Sequence, residues 1–194
     1  MQGVWLPNIE HSFLCVDTVV LFAGYRHQAR GLANITMADI TTEQVWEAIG
    51  KQLFAVMGMV TAKNEARTAG IVYIARHKKL YVASVRDAWK VRHVQHNPHV
   101  SMTVMIPKSI PLMPWIKIPA ATITFSGVAR VLEVSEAPVD VKKMLFRGLE
   151  NVPDDDASTA IIEVTPQGDF VTYGVGVSLM GMRDTQNARG RVQV

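Results

Sequence analysis

The chain has 194 residues, 48% hydrophobic and 19% charged, which is ordinary for a globular protein and enough for one domain with a real core. A net charge of +3 gives no bulk reason to expect a nucleic-acid partner. The single cysteine, Cys15, excludes an internal disulfide and a cysteine metal cluster, and fits a reducing cytoplasm.

Residues 1–36 do not look like the rest. Phe13–Ala23 is mostly apolar, but Asp17 interrupts it and it is too short to span a bilayer, so no membrane association is expected. No Lys or Arg precedes it in Met1–Ser12, as a secretory signal would want. Met37-Ala38-Asp39 stands directly before a well-formed helix, a plausible natural start. Residues 1–36 are therefore expected to be an extension outside the fold, 37–182 the folded domain and 183–194 a basic tail.

Thr41–Lys51 reads as the first helix. Thr41 and Gln44 match a capping box, and Val45, Ala48 and Ile49 follow at helical spacing, with Trp46 close to the same stripe. Leu53–Val60, Arg67–Ala75, Lys79–Ser84 and His99–Ile106 are short, rich in Val, Ile, Tyr and Met, and bounded by turn residues, which is the strand signal. Ala88–Asn97 reads as a short basic helix opening at Ser84 or Asp87 and stopped by Asn97-Pro98. A helix start suits a phosphate, and Ser84, Arg86 and Lys90 lie near it. An ordinary N-cap with solvated cations accounts for the same residues.

Between Ala75 and His99, six cations against Asp87 give +5, and four of the six histidines lie there. His93 and His96 are three apart on the helix, but without Cys and with few carboxylates they do not make a metal site. Trp89 alone is thin support for nucleic-acid stacking.

Pro107–Pro119 holds four prolines in thirteen residues and reads as a stiff, extended connection. It carries Leu112, Met113, Trp115 and Ile116. Ala121–Val134 is a long alternating strand with Gly127 as a bulge or bend, and Ser135 caps a helix to about Leu149. Asn151–Ala157 is an acidic surface loop; Thr159–Thr165 and Phe170–Tyr173 read as a hairpin around Pro166–Asp169. The end, with Arg183, Arg189 and Arg191, reads as a solvated tail, with folding over a site as the alternative. Short antiparallel strands with flanking helices argue a mainly β, α+β architecture, a small barrel whose closure removes exposed edges.

The run Arg67-Thr68-Ala69-Gly70-Ile71-Val72-Tyr73, then Leu80-Tyr81-Val82-Ala83-Ser84, Trp89-Lys90-Val91-Arg92-His93 and Asn97-Pro98-His99-Val100-Ser101 resembles the FMN-binding split barrel of the pyridoxamine 5'-phosphate oxidase-like superfamily. The resemblance implies that residues 37–182 form a flavin-binding split barrel. It implies that Arg67, Thr68, Ala69, Gly70 and Ile71 border the flavin ring and ribityl chain. Ser84, Arg86 and Lys90 would hold the phosphate, and Trp89 belongs to the same cofactor-binding run. It also implies a homodimer with the flavin in the dimer groove, and Trp115 as a wall of the substrate pocket unless its loop simply packs on the barrel or the partner. The C-terminal Arg/Trp substrate motif of authentic pyridoxamine 5'-phosphate oxidases has no counterpart here.

No Walker loop, G-x-S-x-G elbow or H-E-x-x-H occurs, so the cofactor would carry the chemistry and no catalytic side chain is named. The expected function is an FMN-dependent oxidoreductase acting on a small organic acceptor. A deazaflavin coenzyme on the same barrel is the neighbouring alternative. A non-catalytic flavin- or haem-binding protein is the alternative of another class, with His96 or His99 as a haem ligand.

Overall fold

A computed structural model describes residues 40–109, 115, 118–147 and 156–194, all within one unit, Asn34–Val194. The expected extension 1–36, most of the proline-rich stretch and most of the acidic loop lie outside the described residues.

Helix α1 (Thr42–Gly50) starts where its capping box predicts. The Gln44 N–H donates to the Thr41 hydroxyl at 3.3 Å, and the Thr41 N–H donates to the Gln44 side chain at 3.0 Å. Val45 and Ile49 are fully buried, each stabilising the fold by roughly 1.5–3 kcal/mol. Trp46 meets Phe170 edge-to-face at 5.5 Å, a core role for both rings.

The strands are β1 (Phe54–Val60), β2 (Ala66–Val72), β3 (Ile74–Arg76), β4 (Lys79–Val85), β5 (His99–Ile106), β6 (Ala121–Leu132), β7 (Thr159–Tyr173) and β8 (Arg189–Gln193). Helices α2 (Trp89–His96) and α3 (Val139–Leu145) flank them. Strand order is β2-β1-β5-β6-β7-β4-β3, with β8 paired to β7, and every pairing is antiparallel. The terminal strands of this order, β2 and β3, are consecutive in the chain and separated by Tyr73 alone. One kinked run therefore pairs first with β1 and then with β4, which brings the two ends of the strand order together through the chain. The architecture is mainly β and consistent with the split barrel that the resemblance implies.

Alternation sends Ala55, Met57, Met59, Leu80, Val82, Val100, Met102, Val104, Ile123 and Phe125 into the barrel core. A second cluster, Tyr81, Leu132, Ala137, Val141 and Ile161, lies under α3.

Five expectations are corrected. The predicted strand Arg67–Ala75 is broken at Tyr73, which is fully buried and belongs to neither strand. Residues 159–173 are one strand, not a hairpin: both halves pair with β6, and Gly168 (φ +75°) makes an irregularity rather than a reversal. The register shift of β6 falls between Thr124 and Ser126, not at Gly127. Gly127 instead allows close approach, since a Cβ there would meet the Thr165 carbonyl oxygen at 2.9 Å. Helix α3 begins after Pro138, not at Ser135, and ends at Leu145. The C-terminal residues are not a solvated tail, because Arg189–Gln193 pair with Asp169–Tyr173.

Candidate functional site

The chain passes from β2 through Tyr73 into β3, which pairs with β4, and among the described residues β2 has β1 as its one pairing partner. The Tyr73 N–H donates to the Leu53 carbonyl at 3.0 Å, and the Thr61 N–H to the Glu65 carbonyl at 2.9 Å. Odd-numbered residues of this strand thus turn their backbone groups toward β1. By the alternation of antiparallel ladders, Ala66, Thr68, Gly70 and Val72 turn theirs toward the open side. The free edge of β2 is a short strip of alternating donors and acceptors.

Beside that edge lies a groove of about 550 Å³, within the ~300–1,000 Å³ of small-molecule sites. Arg67 and Thr68 of β2 line it with Trp89 and His93 of α2, and the β1–β2 turn adds Thr61, Ala62, Lys63 and Glu65. That turn is held from within: the Thr61 hydroxyl accepts from the Lys63 and Glu65 N–H groups, each at 3.2 Å. Arg67 pairs with Glu65 at 3.3 Å, and no partner of the Lys63 ammonium occurs among the described residues. Trp89 and His93, one helical turn apart, meet edge-to-face at 5.5 Å.

Arg67 and Thr68 form a ridge shared with a second groove of about 460 Å³. Gly58, His99, Ser101, Ser126 and Gln167 are among its lining residues. It opens onto the outer face of five strands, where the cross-strand rows Gly70–Val56–Thr103–Thr124–Val171 and Thr68–Gly58–Ser101–Ser126–Gln167 contain no charged side chain. Phe54, Val72 and Met105, exposed on the same sheet, extend that uncharged face.

The structure therefore brings Arg67, Thr68 and Trp89 of the sequence-derived set to one groove. Ala69 is half-buried and Ile71 buried on the barrel side of β2, while Gly70 lies under the Phe54 ring, 2.9 Å from where a Cβ would stand. Neither Ser84 nor Asp87 caps α2: the N-cap is Ala88, with no side-chain cap bond. Ser84 is a β4 residue in the inward row of Leu80 and Val82, and its hydroxyl donates to the Val85 carbonyl at 3.2 Å. Arg86 is spent on an ion pair with Glu133 and on the carbonyls of Ala157 at 2.8 Å and Thr159 at 3.1 Å. Lys90 is half-buried in the first turn of α2 with no hydrogen-bond or ion-pair partner among the described residues. Trp115 is exposed. His96 is exposed on α2, and His99 belongs to the second groove.

Sequence reasoning did not assign Thr61, Lys63 or His93 to the site. The signal for the turn residues was local, a Thr two residues before a Lys at the end of an alternating strand. For His93 it was the one-turn spacing from Trp89. Among the described residues no group of three or more His, Cys, Asp or Glu side chains is arranged to hold a metal, and no helix is long and apolar enough to cross a membrane.

No protein-family model and no curated protein matches the chain. Solved structures do. The chain is similar to the heme binding protein from Mycobacterium smegmatis, at 14% identity and a TM-score of 0.54 over 78% of this chain and 57% of that one. It is similar to HutZ, the heme storage protein from Vibrio cholerae, at 13% identity and a TM-score of 0.50 over 69% and 95% of the two chains. A conserved hypothetical protein from Mycobacterium tuberculosis, Rv2991, matches at 9% identity and a TM-score of 0.51 over 66% and 82%. Identities this low speak for fold alone. What these likenesses show is a shared fold, the antiparallel barrel with flanking helices described above.

Proposed function

We propose that this protein binds FMN in the groove between β2 and α2 and acts as an FMN-dependent oxidoreductase on a small organic acceptor. The observation that supports it is the meeting of Arg67, Thr68 and Trp89 around one groove of about 550 Å³ beside an unpaired strand edge. The donor set fits a flavin. The edge of β2 that has no strand partner among the described residues offers both donors and acceptors to the polar rim of the ring, and Trp89 offers an aromatic wall. Lys63 in the groove offers a phosphate a cation unpaired among the described residues, and Lys90, outside the groove's lining, stands on the adjoining first turn of α2. When bound, FMN supplies hydride or electron transfer. The chain's own residues bind, orient and shield: β2 fixes the ring edge, Trp89 excludes water from one side, and the cations hold the anionic end.

The same reading makes the protein a homodimer. A five-strand face without charge in its central rows, carrying exposed Phe54, Val72 and Met105, is the kind of surface that a second copy covers. The shared ridge of Arg67 and Thr68 lies at its margin, so the second copy would border the cofactor. A deazaflavin coenzyme, with a longer anionic tail, suits the same cations.

A haem reading is favoured by one specific observation. His93 lines the groove with both ring nitrogens free of partners among the described residues, which suits an axial ligand better than exposed His96. Two of the structural neighbours are named for heme.

Visible absorption of the purified protein, titrated separately with FMN, the deazaflavin coenzyme and haem, tests these readings. Saturable FMN uptake, followed by oxidation of a reduced nicotinamide in the presence of an acceptor, is the expected result. Uptake of haem alone, with a spectrum lost in His93→Ala, would move the function to haem binding.

A further inference from the structure

We infer that His93 of α2 and Lys63 of the β1–β2 turn, which line the same groove, recognise the anionic tail of the bound flavin. The inference rests on the FMN reading above and adds residues that the resemblance does not supply.

Two of the three groups that the resemblance assigns to the phosphate are otherwise engaged. The Ser84 hydroxyl is given to Val85, and Arg86 to Glu133 and the carbonyls of Ala157 and Thr159. Lys90 alone is a modest anchor for a phosphate, so further partners are needed, and the groove holds two. Lys63 stands on the internally bonded β1–β2 turn, and the acidic residue beside it, Glu65, is already paired with Arg67. His93 stands on α2, half-buried, with its ring set against Trp89.

The contrast with His77 is instructive. His77 has Asp140 at 2.9 Å, whereas no hydrogen-bond partner of His93 occurs among the described residues. A half-buried imidazole with both nitrogens open, inside a groove whose other unpaired charge is an ammonium, is disposed to meet an anion. The charged and titratable groups around it are Lys63, Glu65 and Arg67 from the β1–β2 side, and Lys90, Arg92 and His96 on its own helix. Glu65, the carboxylate among them, is already paired with Arg67, so the groups around the ring are mainly cationic. A ring N–H of His93 and the Lys63 ammonium can each donate to a phosphate oxygen. A flavin without a phosphate offers neither group a partner.

The test is equilibrium titration of FMN and of riboflavin, read by flavin fluorescence, on wild type, His93→Gln, His93→Lys and Lys63→Gln. His93→Gln and Lys63→Gln are each expected to lose roughly tenfold in FMN affinity, with riboflavin affinity unchanged. His93→Lys is expected to keep the preference for FMN. Equal losses for FMN and riboflavin would overturn the inference by making His93 a packing residue for Trp89. Full FMN affinity in both Gln variants would overturn it directly. Wild type that binds neither flavin would sink the FMN reading itself, and this inference with it, before any variant is made.

Discussion

The Tyr73 hydroxyl donates to the Ile49 carbonyl at 2.7 Å, tying the residue that breaks the β2–β3 run to the last turn of α1. The break that shapes the groove is thus anchored from the helix. Ile49 keeps a second donor, the Gln52 N–H at 3.1 Å, so Tyr73→Phe leaves no orphaned carbonyl. We expect it to cost about 1 kcal/mol in urea unfolding near neutral pH.

The same residue gives a pH prediction. Burial pushes the Tyr73 hydroxyl far above its ordinary value of 10.0. Burial first, and then the neighbouring Glu163, push Tyr81 up to about 12. Both phenols hold their protons more tightly folded than unfolded, so their contribution is complete below the unfolded value of 10.0 and is lost as pH rises above it. Urea midpoints measured in steps from neutral to strongly alkaline pH should fall steeply beyond that point. The fall should be shallower in Tyr73→Phe; an identical slope in the variant would assign the alkaline loss to other groups.

Glu163 lies on β7 with its carboxylate almost fully buried between Lys79 and Arg130, each at 3.2 Å. Removing its charge leaves both cations without that partner, but Arg130 is 67% exposed and returns to water. Glu163→Gln should therefore destabilise by about 2 kcal/mol, below the usual cost of breaking a fully buried pair. Chemical denaturation checks this, and the flavin affinity of the folded variant should not change, because Glu163 does not line the groove.

Lys90→Ala addresses the cofactor site. The side chain has no protein partner among the described residues, so its loss should leave the thermal midpoint nearly unchanged. FMN affinity should drop by roughly 10- to 100-fold, as for loss of one charge-assisted bond, and riboflavin affinity should not. Unchanged FMN affinity would move the phosphate away from the start of α2.

Phe54 tests the second copy. It pairs with Val72 across β1 and β2 and is 44% exposed on the uncharged face. Phe54→Asp places a charge where a partner would have to bury it, which should shift sedimentation from dimer to monomer with the circular dichroism of the fold retained. A dimer that survives this change at micromolar concentration is held by a different surface.

Much of this was legible residue by residue. The Thr41–Gln44 capping box, the alternation of β1 and β5, and the Asn97-Pro98 stop each depend on neighbours within a few positions, and each stands where expected. That Arg67, Thr68 and Trp89 come together was legible through the order of elements, and one groove holds all three. Lys63 and His93 were not, because nothing in a turn or on a helix face says which groove it borders until another element arrives opposite.

The remaining differences share one cause. Pro166, Gln167 and Gly168 carry the local signature of a reversal, yet pairing of both flanks with β6 keeps β7 extended. Arg189–Gln193 are polar and terminal, yet the free edge of Asp169–Tyr173 takes them as a strand. Tyr73 sits mid-strand by pattern, yet the chain must leave β1 to reach β4, and a buried hydroxyl bonded to α1 fixes the crossing there. Local patterning was enough for the number and kind of most elements, since propensity and burial alternate along the chain itself. The closure, the extended β7, the paired C-terminus and the composition of the groove came from long-range hydrogen bonding, where a backbone group's partner lies tens of residues away.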